Sequence, residues 1–322
     1  GGIDKRVRTG ETGAMTKAAV ITRKQLGDTL LLQPLLERLG RQNGEDTALL
    51  ANAAFAPLVE LMPGARAPAA GERYRDLWVF EHGSKPAWRA RLTPARQRHL
   101  RLLRPGYRRW YHRLVFDDIA AQPLGYEYRA LRHFRACFGS DHGFRPPRLA
   151  RPPAADPPSA CPPGAILLNP TSAWPRKAWT ADGWVALARQ LDEACGLPLA
   201  LIGQGGEWMA RHAAAIAARC PRGTIDLVNR TSLPELLAII AAARALVAVD
   251  GACAHIAAAF GVPVLTLFGP TRAEEWHWPS PRSLALKTSD FHAGRREPLA
   301  RLPQQAVLDA ARQLLAISQA DG

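Results

Sequence analysis

The sequence has few of the features that mark disulfide-linked, zinc-binding or membrane-spanning proteins. Its 322 residues include five cysteines, no Cys-x-x-Cys pair and no histidine at zinc-finger spacing, which argues against a disulfide framework and a zinc site. No run reaches the about 18 consecutive apolar residues of a membrane-spanning helix, and the first residues do not follow the order of a secretory leader. We therefore expect a protein of the reducing cytoplasm.

Two nucleotide-binding patterns are also missing. No Asp-x-Asp pair occurs, so nothing resembles the carboxylates that hold a divalent metal on a nucleotide diphosphate. The dinucleotide string Gly-x-Gly-x-x-Gly does not occur either. If a diphosphate leaves from this protein, lysine and helix N-termini must neutralise it, and we expect no metal.

Negative charge is scarce. Lys and Arg total 42 against 28 Asp and Glu, a net charge of +14, which favours nucleic acid, an anionic membrane or a phosphorylated substrate as partner. The imbalance concentrates in residues 85–151, which hold sixteen Lys or Arg and four acids, interleaved with aromatic residues. This stretch is expected to be largely helical and amphipathic. A solvated basic face is the alternative interpretation.

The rest of the chain alternates short apolar runs with helical patterns, which is typical of parallel α/β sheets. At about 150 residues per domain, the length predicts two domains. We expect a disordered leader over 1–16 and a Rossmann-like N-terminal domain over 17–150. A Pro-rich linker over 151–164 then leads to a second Rossmann-like domain over 165–300 and a last helix within 301–322.

Polar loops follow two strands of the second domain, where ligands of parallel sheets bind. In the first loop, Thr171 and Ser172 can donate hydrogen bonds to a diphosphate and Lys177 supplies positive charge. The alternative is an ordinary turn in which Thr180 caps the next helix. In the second loop, Glu207 opens a helix, where it can accept from ribose hydroxyls or simply interact with the helix dipole.

Two further acids stand where a strand meets a helix. Asp250 precedes a helix whose small residues leave its N-terminal amides open to an anion, and His255 lies within that helix. Asp28 is placed at the start of the first helix, where a carboxylate can act as a general base. Either acid could instead cap its helix, and His255 could be a packed core histidine.

Together these loops resemble glycosyltransferase family 9, the ADP-heptose:lipopolysaccharide heptosyltransferases. The run from Asp250 to Thr271 (DGACAHIAAAFGVPVLTLFGPT) resembles the family signature most specifically. Three other segments resemble the opening motif, the phosphate loop and the Leu-x-Gly-x-Thr-Ser-Leu segment of the family: residues 26–30, 169–179 and 226–233. The similarity covers nearly all of residues 17–320 and is greatest to the branch that adds a third core heptose.

The resemblance implies a GT-B fold, in which two Rossmann-like domains with parallel sheets face each other across a cleft and the last helix crosses back to the first domain. It also implies inverting, metal-independent transfer from ADP-heptose to a lipopolysaccharide inner-core acceptor, with no cofactor. The enzyme is then expected to be cytoplasmic and peripheral on the inner face of the cytoplasmic membrane, with no nucleic-acid partner. The basic segment would hold the acceptor and the anionic membrane surface.

The resemblance assigns roles residue by residue. Asp28 is the expected base and Lys177 the second catalytic residue, which contacts the phosphates together with Thr171 and Ser172. Glu207 would contact the ribose. The heptose hydroxyls are expected to meet Asp250, with its neighbours in the same loop and helix nearby: Gly251, Ala252 and His255.

Two departures from the family pattern bear on the donor. Gly251-Ala252 stands where Ser or Thr followed by Gly is common, so one hydroxyl donor is missing. Asn229 stands where Gly is usual, and Asn tolerates positive φ. The alternatives are a GT-B transferase or epimerase using another nucleotide sugar, a family member that no longer catalyses, and a non-catalytic basic protein that binds polyanions.

Overall fold

The computed structural model describes residues 16–122, 125–153, 161–294 and 296–319. Most of the predicted leader and the middle of the predicted Pro-rich linker therefore lie outside the described residues, as do the last three residues. Within the described part of the chain, two parallel sheets of six strands each form, one in each predicted domain. The predicted α/β class with two Rossmann-like units is confirmed.

The N-terminal sheet has the strand order β3-β2-β1-β4-β5-β6, with every pair parallel. Helices lie between β1 and β2, β2 and β3, and β4 and β5, 3₁₀ segments lie between β5 and β6, and a loop leads from β3 to β4. Such crossovers are typical of parallel pairing. Its elements are β1 (Thr16–Ile21), α1 (Leu26–Leu30), α2 (Gln33–Asn43), β2 (Thr47–Leu50), α3 (Ala56–Glu60), β3 (Ala65–Arg66), β4 (Tyr74–Val79), α4 (Ser84–Leu92), β5 (Ala95–Leu102), β6 (Asp118–Ala121) and α5 (Arg129–Phe138).

The C-terminal sheet has the order β12-β11-β10-β7-β8-β9, again parallel throughout. Its elements are β7 (Ile166–Asn169), α6 (Ala181–Cys195), β8 (Leu199–Leu201), α7 (Glu207–Ala217), β9 (Ile225–Asp226), α8 (Leu233–Ala241), β10 (Ala245–Val249), α9 (Ala252–Phe260), β11 (Val264–Phe268), α10 (Ala273–Trp276), β12 (Ser283–Lys287) and α11 (Gln304–Gln319).

The central strands are buried along their whole length. Every residue of β7, β10 and β11 is buried, because helices cover both faces of a parallel sheet. Such strands are continuous apolar runs bounded by polar loops, which is why their positions could be predicted. The carboxyl ends of these parallel strands lie at the same edge of the sheet, and the loops that follow the strands meet there.

The basic segment is less helical than expected. Helices α4 and α5 form near its two ends, but β5 and β6 lie between them. Arg101 explains the wrong prediction: its guanidinium is buried over the Trp78 ring, 4.9 Å from the centroid, and donates to Asp118 at 2.5 Å. An arginine in a sheet interior interrupts the apolar pattern by which a strand is predicted.

The last helix does not cross back to the N-terminal domain, so that expectation is wrong. The buried side chains of α11 join the core of the C-terminal domain, against α6 and the strands β10 to β12. Its apolar positions fall on one helical face and are Val307, Ala311, Leu314 and Leu315. In the N-terminal domain, α2 continues through Gly40 to Asn43, and Gly44 is its C-cap.

The two domains touch through apolar helices. Helix α1 packs against α9 and α3 packs against α8, and one continuous cluster of buried apolar residues includes both sides of this contact. Gly27 permits the closest approach, because a Cβ there would lie 3.1 Å from Cδ2 of His255 and 3.4 Å from Cα of Ala252. The contact brings the loop before α1 and the N-terminus of α9 to opposite sides of one cleft.

Candidate functional site

A cleft of about 1010 Å³ lies between the domains, beyond the carboxyl ends of β7 and β10. The N-terminal domain contributes Asp28 to its lining and the C-terminal domain contributes Lys177 and Asp250. The other predicted donor-site residues in the lining are Thr171, Ser172, Gly251, Ala252 and His255. One predicted residue, Glu207, is not part of it. The tertiary fold thus gathers four separate loops at one place.

An ion pair lies at the floor of the cleft. Lys177 Nζ is 2.7 Å from Asp250 Oδ2 and donates to the Asp250 carbonyl oxygen at 3.3 Å. The Thr271 hydroxyl, from the loop after β11, donates to the same carboxylate oxygen at 2.7 Å. A neighbouring loop thus supplies a hydroxyl to Asp250, although Gly251 and Ala252 provide none. The Asp250 side chain therefore does not cap α9, whose N-cap is Gly251.

The loop that carries Lys177 is anchored by two tryptophans with different surroundings. Trp179 is fully buried and its indole N–H donates to the Leu302 carbonyl at 3.1 Å. Trp174 lies at the cleft, with Lys177 Nζ 5.1 Å from its ring centroid. Thr180 caps α6 by accepting from Gly183 N–H at 3.1 Å, which is the role that the alternative interpretation of this loop gave it. The ammonium is thus fixed on both sides.

The loop after β8 comes very close to Thr171. Gly203 has a φ of +126°, and a Cβ on it would lie 2.1 Å from Thr171 Oγ1 and 2.4 Å from Asn169 Nδ2. Asn229 holds the same loop from the other side through two hydrogen bonds with the backbone of Gly205, at 2.9 and 3.1 Å. Asn229 adopts a φ of +59°, so this asparagine does tolerate the turn in which the family usually has glycine.

Gly203→Ala should change the position of Thr171 in the cleft, whereas alanine at a glycine with open space around it should not. We expect a loss of unfolding free energy of about 1–3 kcal/mol and a roughly tenfold weaker affinity for a nucleotide diphosphate, because Thr171 must move. Gly196→Ala is the control, since Gly196 also has positive φ but a Cβ added there would meet no atom within 4 Å. Denaturant titration and calorimetry measure both quantities, and equal effects of the two variants on affinity would contradict the interpretation.

Glu207 lies away from the cleft lining. Its side chain is 86% exposed at the N-terminus of α7 and pairs with Arg211 one turn later. A ribose contact would therefore require the carboxylate to leave Arg211. Gln204, three residues earlier in the same loop, does line the cleft.

Asp28 faces the cleft from the first turn of α1. The N-cap of α1 is Gln25, so Asp28 does not cap the helix. Burial raises the pKa of the Asp28 carboxyl above its ordinary value, while the charges of Lys24 and Arg129 act to lower that pKa. Asp250 lies near enough across the cleft to raise the pKa of Asp28 further. A carboxylate with a raised pKa is a stronger base than an exposed one.

A smaller cavity of about 110 Å³ adjoins Asp28 on the N-terminal side. Lys24, Arg129, His82 and His133 contribute to its walls. Burial lowers the pKa of His133 to about 3, so its imidazole is neutral at pH 7, and its Nδ1 has no hydrogen-bond partner among the described residues. The two cations and the neutral imidazoles suit a small acidic or hydroxyl-rich group.

Arg129 connects the two domains beside this cavity. Its guanidinium donates to Glu275 of α10 at 2.7 Å and lies over the Trp276 ring, 4.7 Å from the centroid. His255 packs against the same tryptophan at 6.3 Å, and burial lowers the pKa of His255. Its side chain is thus a neutral member of the cleft wall.

Several residues of the cleft could not be singled out from the sequence. They include Arg104, Tyr126, Arg129, Arg272, Glu275 and Trp276. For the first three, the signal in the sequence is the high arginine content of the basic segment, which does not say which side chains turn toward the cleft. The last three lie outside that segment. Arg101 and Arg132 of the same segment are instead buried.

Within the described ranges, no cluster of three or more His, Cys, Asp or Glu has the arrangement of a metal site. No helix in the part of the chain that the structure describes is both long and apolar enough to span a bilayer.

The C-terminal half matches a known protein family. Residues 148–298 match the family model described as glycosyltransferase family 9 (heptosyltransferase). Over 80 residues, 23% of the chain, the sequence is 36% identical to lipopolysaccharide heptosyltransferase 1 of Salmonella typhimurium (strain LT2). The chain spans about a quarter of the length of this curated relative, since the match covers 25% of it.

Solved structures resemble the whole chain. The ADP-heptose lps heptosyltransferase II of E. coli is 21% identical with a TM-score of 0.76, over 96% of this chain and 100% of that chain. The E. coli heptosyltransferase WaaC with ADP-2-deoxy-2-fluoro heptose is 16% identical with a TM-score of 0.67, over 92% of this chain and 99% of that chain. These similarities concern the fold and confirm the expected GT-B architecture.

Proposed function

We propose that this chain, whose residues 148–298 match the model of glycosyltransferase family 9, transfers a heptose from ADP-heptose to a lipopolysaccharide inner-core acceptor. The observation that carries the proposal is the geometry of the cleft: Asp28 of one domain and the Lys177–Asp250 pair of the other line the same space. A base and a phosphate-binding cation on facing domains suit a displacement between two substrates.

The C-terminal side is suited to the nucleotide sugar. Lys177, Thr171 and Ser172 offer one positive charge and two hydroxyls to the diphosphate. The nine-residue helix α9 begins at the cleft behind Gly251, so its N-terminal amides add partial positive charge. Charge that develops on the departing ADP would be stabilised there without a metal ion. Asp250, held by Lys177 and Thr271, is placed to accept from sugar hydroxyls.

The N-terminal side is suited to the acceptor. The acceptor hydroxyl has a pKa far above 7, so the Asp28 carboxylate would take its proton as the hydroxyl attacks the anomeric carbon. General-base catalysis of this kind contributes about 10²–10⁴ in rate. The bond to the ADP oxygen breaks as the new glycosidic bond forms, and this single displacement inverts the anomeric centre. The small cavity with Lys24 and Arg129 would hold an acidic group of the same acceptor.

A direct assay tests the proposal. Purified chain is incubated with ADP-heptose and a heptose-deficient lipopolysaccharide core, and ADP release is followed with and without EDTA. We expect ADP release that depends on the acceptor and is unchanged by EDTA. With UDP- or GDP-sugars as donors, the release of UDP or GDP should be at least about tenfold slower. NMR of the product should show inversion at the anomeric carbon.

Three results of this assay would contradict parts of the proposal. A retained anomeric configuration would exclude the single displacement, and loss of activity in EDTA would exclude metal-independent transfer. Faster turnover of a UDP- or GDP-sugar would show that the donor is a different nucleotide sugar.

A further inference from the structure

One face of the N-terminal domain exposes four large apolar side chains. Trp88 and Leu92 lie one turn apart on α4 and are 66% and 79% exposed. After β5, the 3₁₀ segment Trp110–Leu114 begins and ends with the other two. Trp110 is 78% exposed and Leu114 is 70% exposed. Isolated exposed apolar residues are common, but a group of this size is typical of an interaction site.

The two segments pack on the same side of the domain. The Tyr111 hydroxyl donates to the His82 carbonyl at 3.2 Å, and His112 Nε2 lies 3.0 Å from the same oxygen. The inward residues of α4, Ala87 and Ala90, share one core cluster with Tyr111. Both segments therefore lie over the same face of the N-terminal sheet. We call their four exposed apolar side chains the tryptophan face: Trp88, Leu92, Trp110 and Leu114.

The residues of the tryptophan face are flanked in the sequence by positive charge. Residues 82–116 contain ten Lys or Arg and no Asp or Glu. Among these cations, the exposed ones next to the apolar residues in sequence are Lys85, Arg91, Arg108, Arg109 and Arg113. Tryptophan is favoured at the head-group level of membranes, and clustered cations attract anionic lipids. The combination is therefore complementary in both polarity and charge to an anionic bilayer.

We propose that the tryptophan face docks on the anionic surface of a lipid bilayer. Trp88 and Trp110 enter the head-group region and the flanking cations contact lipid phosphates. The inference rests on the proposed function, because it supplies the reason for docking: an acceptor that is itself anchored in the membrane.

The position of the tryptophan face relative to Asp28 supports this arrangement. His82, which receives the contacts of the 3₁₀ segment, stacks on Tyr107 with ring centroids 4.0 Å apart. His82 and Tyr107 both line the small cavity beside Asp28. A sugar that projects from a bilayer below the tryptophan face would therefore meet the cavity from the side on which the protein is docked.

Vesicle binding of the full-length chain tests the inference. Binding to vesicles of phosphatidylethanolamine with phosphatidylglycerol is compared with binding to phosphatidylcholine vesicles by sedimentation. We expect binding to the anionic vesicles that weakens as salt increases. Trp88→Ala/Trp110→Ala should bind at least about tenfold more weakly. The control, Trp208→Ala, removes a tryptophan that is 44% exposed on α7 of the other domain and should bind like the wild type.

Activity separates this inference from the proposed function. The double variant should turn over a water-soluble core fragment at the wild-type rate and a vesicle-embedded acceptor more slowly. If the wild type turns over neither acceptor but its vesicle binding is lost in Trp88→Ala/Trp110→Ala, the proposed function is wrong and the docking surface is supported.

Unchanged vesicle binding by the double variant, with wild-type thermal stability, would overturn the docking surface. Equal binding of the wild type to both kinds of vesicle would overturn it as well. So would a wild type that binds no vesicles but binds an oligonucleotide through Trp88 and Trp110.

Discussion

Asp28→Asn is expected to reduce turnover about 10²–10⁴-fold while changing the affinity for ADP-heptose less than about twofold. The amide keeps the shape of the side chain but cannot take a proton from the acceptor. The donor contacts that we propose lie on the opposite side of the cleft, at Lys177 and its neighbours, and the substitution leaves these residues unchanged. ADP-release kinetics and calorimetry with the donor measure the two effects separately.

The same variant should not lose stability. Because burial raises the pKa of Asp28, the folded state binds this proton more tightly than the unfolded state does. The free energy of unfolding therefore falls as pH rises from about 3.9, the ordinary value, through the raised pKa in the folded state, and the full cost of the buried charge is present at pH 7. Asn removes that cost, so the melting temperature at pH 7 should be equal or higher.

The pH dependence adds a second check on Asp28. Wild-type turnover should fall as pH decreases through the raised pKa of the carboxyl, since the protonated form is no base. This acid limb should be absent from the residual activity of Asp28→Asn. Asp192→Asn, at an exposed position of α6, should leave both activity and stability as in the wild type. Wild-type activity in Asp28→Asn would exclude Asp28 as the base.

Lys177→Ala is expected to reduce turnover by about 10²–10³-fold and also to destabilise the fold. Lys177 and Asp250 are only 16% and 5% exposed in their side chains, so the variant leaves a buried carboxylate with Thr271 as its remaining side-chain donor. Removing one partner of a buried pair typically costs about 3–5 kcal/mol. Denaturant unfolding and ADP release measure the two losses.

A second substitution separates charge balance from catalysis. Lys177→Met/Asp250→Asn removes both charges and should recover most of the unfolding free energy but none of the turnover. Lys287→Ala, which breaks a more exposed contact with Glu274, should cost no more than about 1 kcal/mol and leave turnover unchanged. Wild-type turnover in Lys177→Ala would remove the ammonium from the mechanism.

The elements that could be predicted best are those whose residues carry an uninterrupted pattern. Helix α6 and strand β11 are examples, because an amphipathic helix and a buried apolar strand each repeat one signal over their whole length. β5 could not be predicted in this way. Its Arg101 is held by contacts with Trp78 and Asp118 from neighbouring strands, and such contacts exist only once the sheet has formed.

The same distinction applies to the cleft. Lys177 and Asp250 could be placed at strand ends from local sequence, and the ends of neighbouring parallel strands must meet. The contact between Arg129 and Glu275 joins residues 146 positions apart in different domains. Neither residue stands in a recognisable motif, so only the approach of α5 to α10 in the folded chain reveals that they share the cleft. Glu207 is the opposite case. Its position at the start of a helix suggested a ligand contact, but its side chain lies outside the cleft and pairs with Arg211.

The placement of α11 affects how the two halves of the molecule can be exchanged. Because α11 completes the core of the C-terminal domain, the described strands and helices of that domain all follow the Pro-rich segment in one stretch of sequence. If the last helix packed on the N-terminal domain, an exchange of domains would have to join the chain at two points, before the C-terminal domain and again before the last helix. Here a single junction is enough, so a gene fusion could join this C-terminal domain, with the donor site that we propose for it, to a different N-terminal domain.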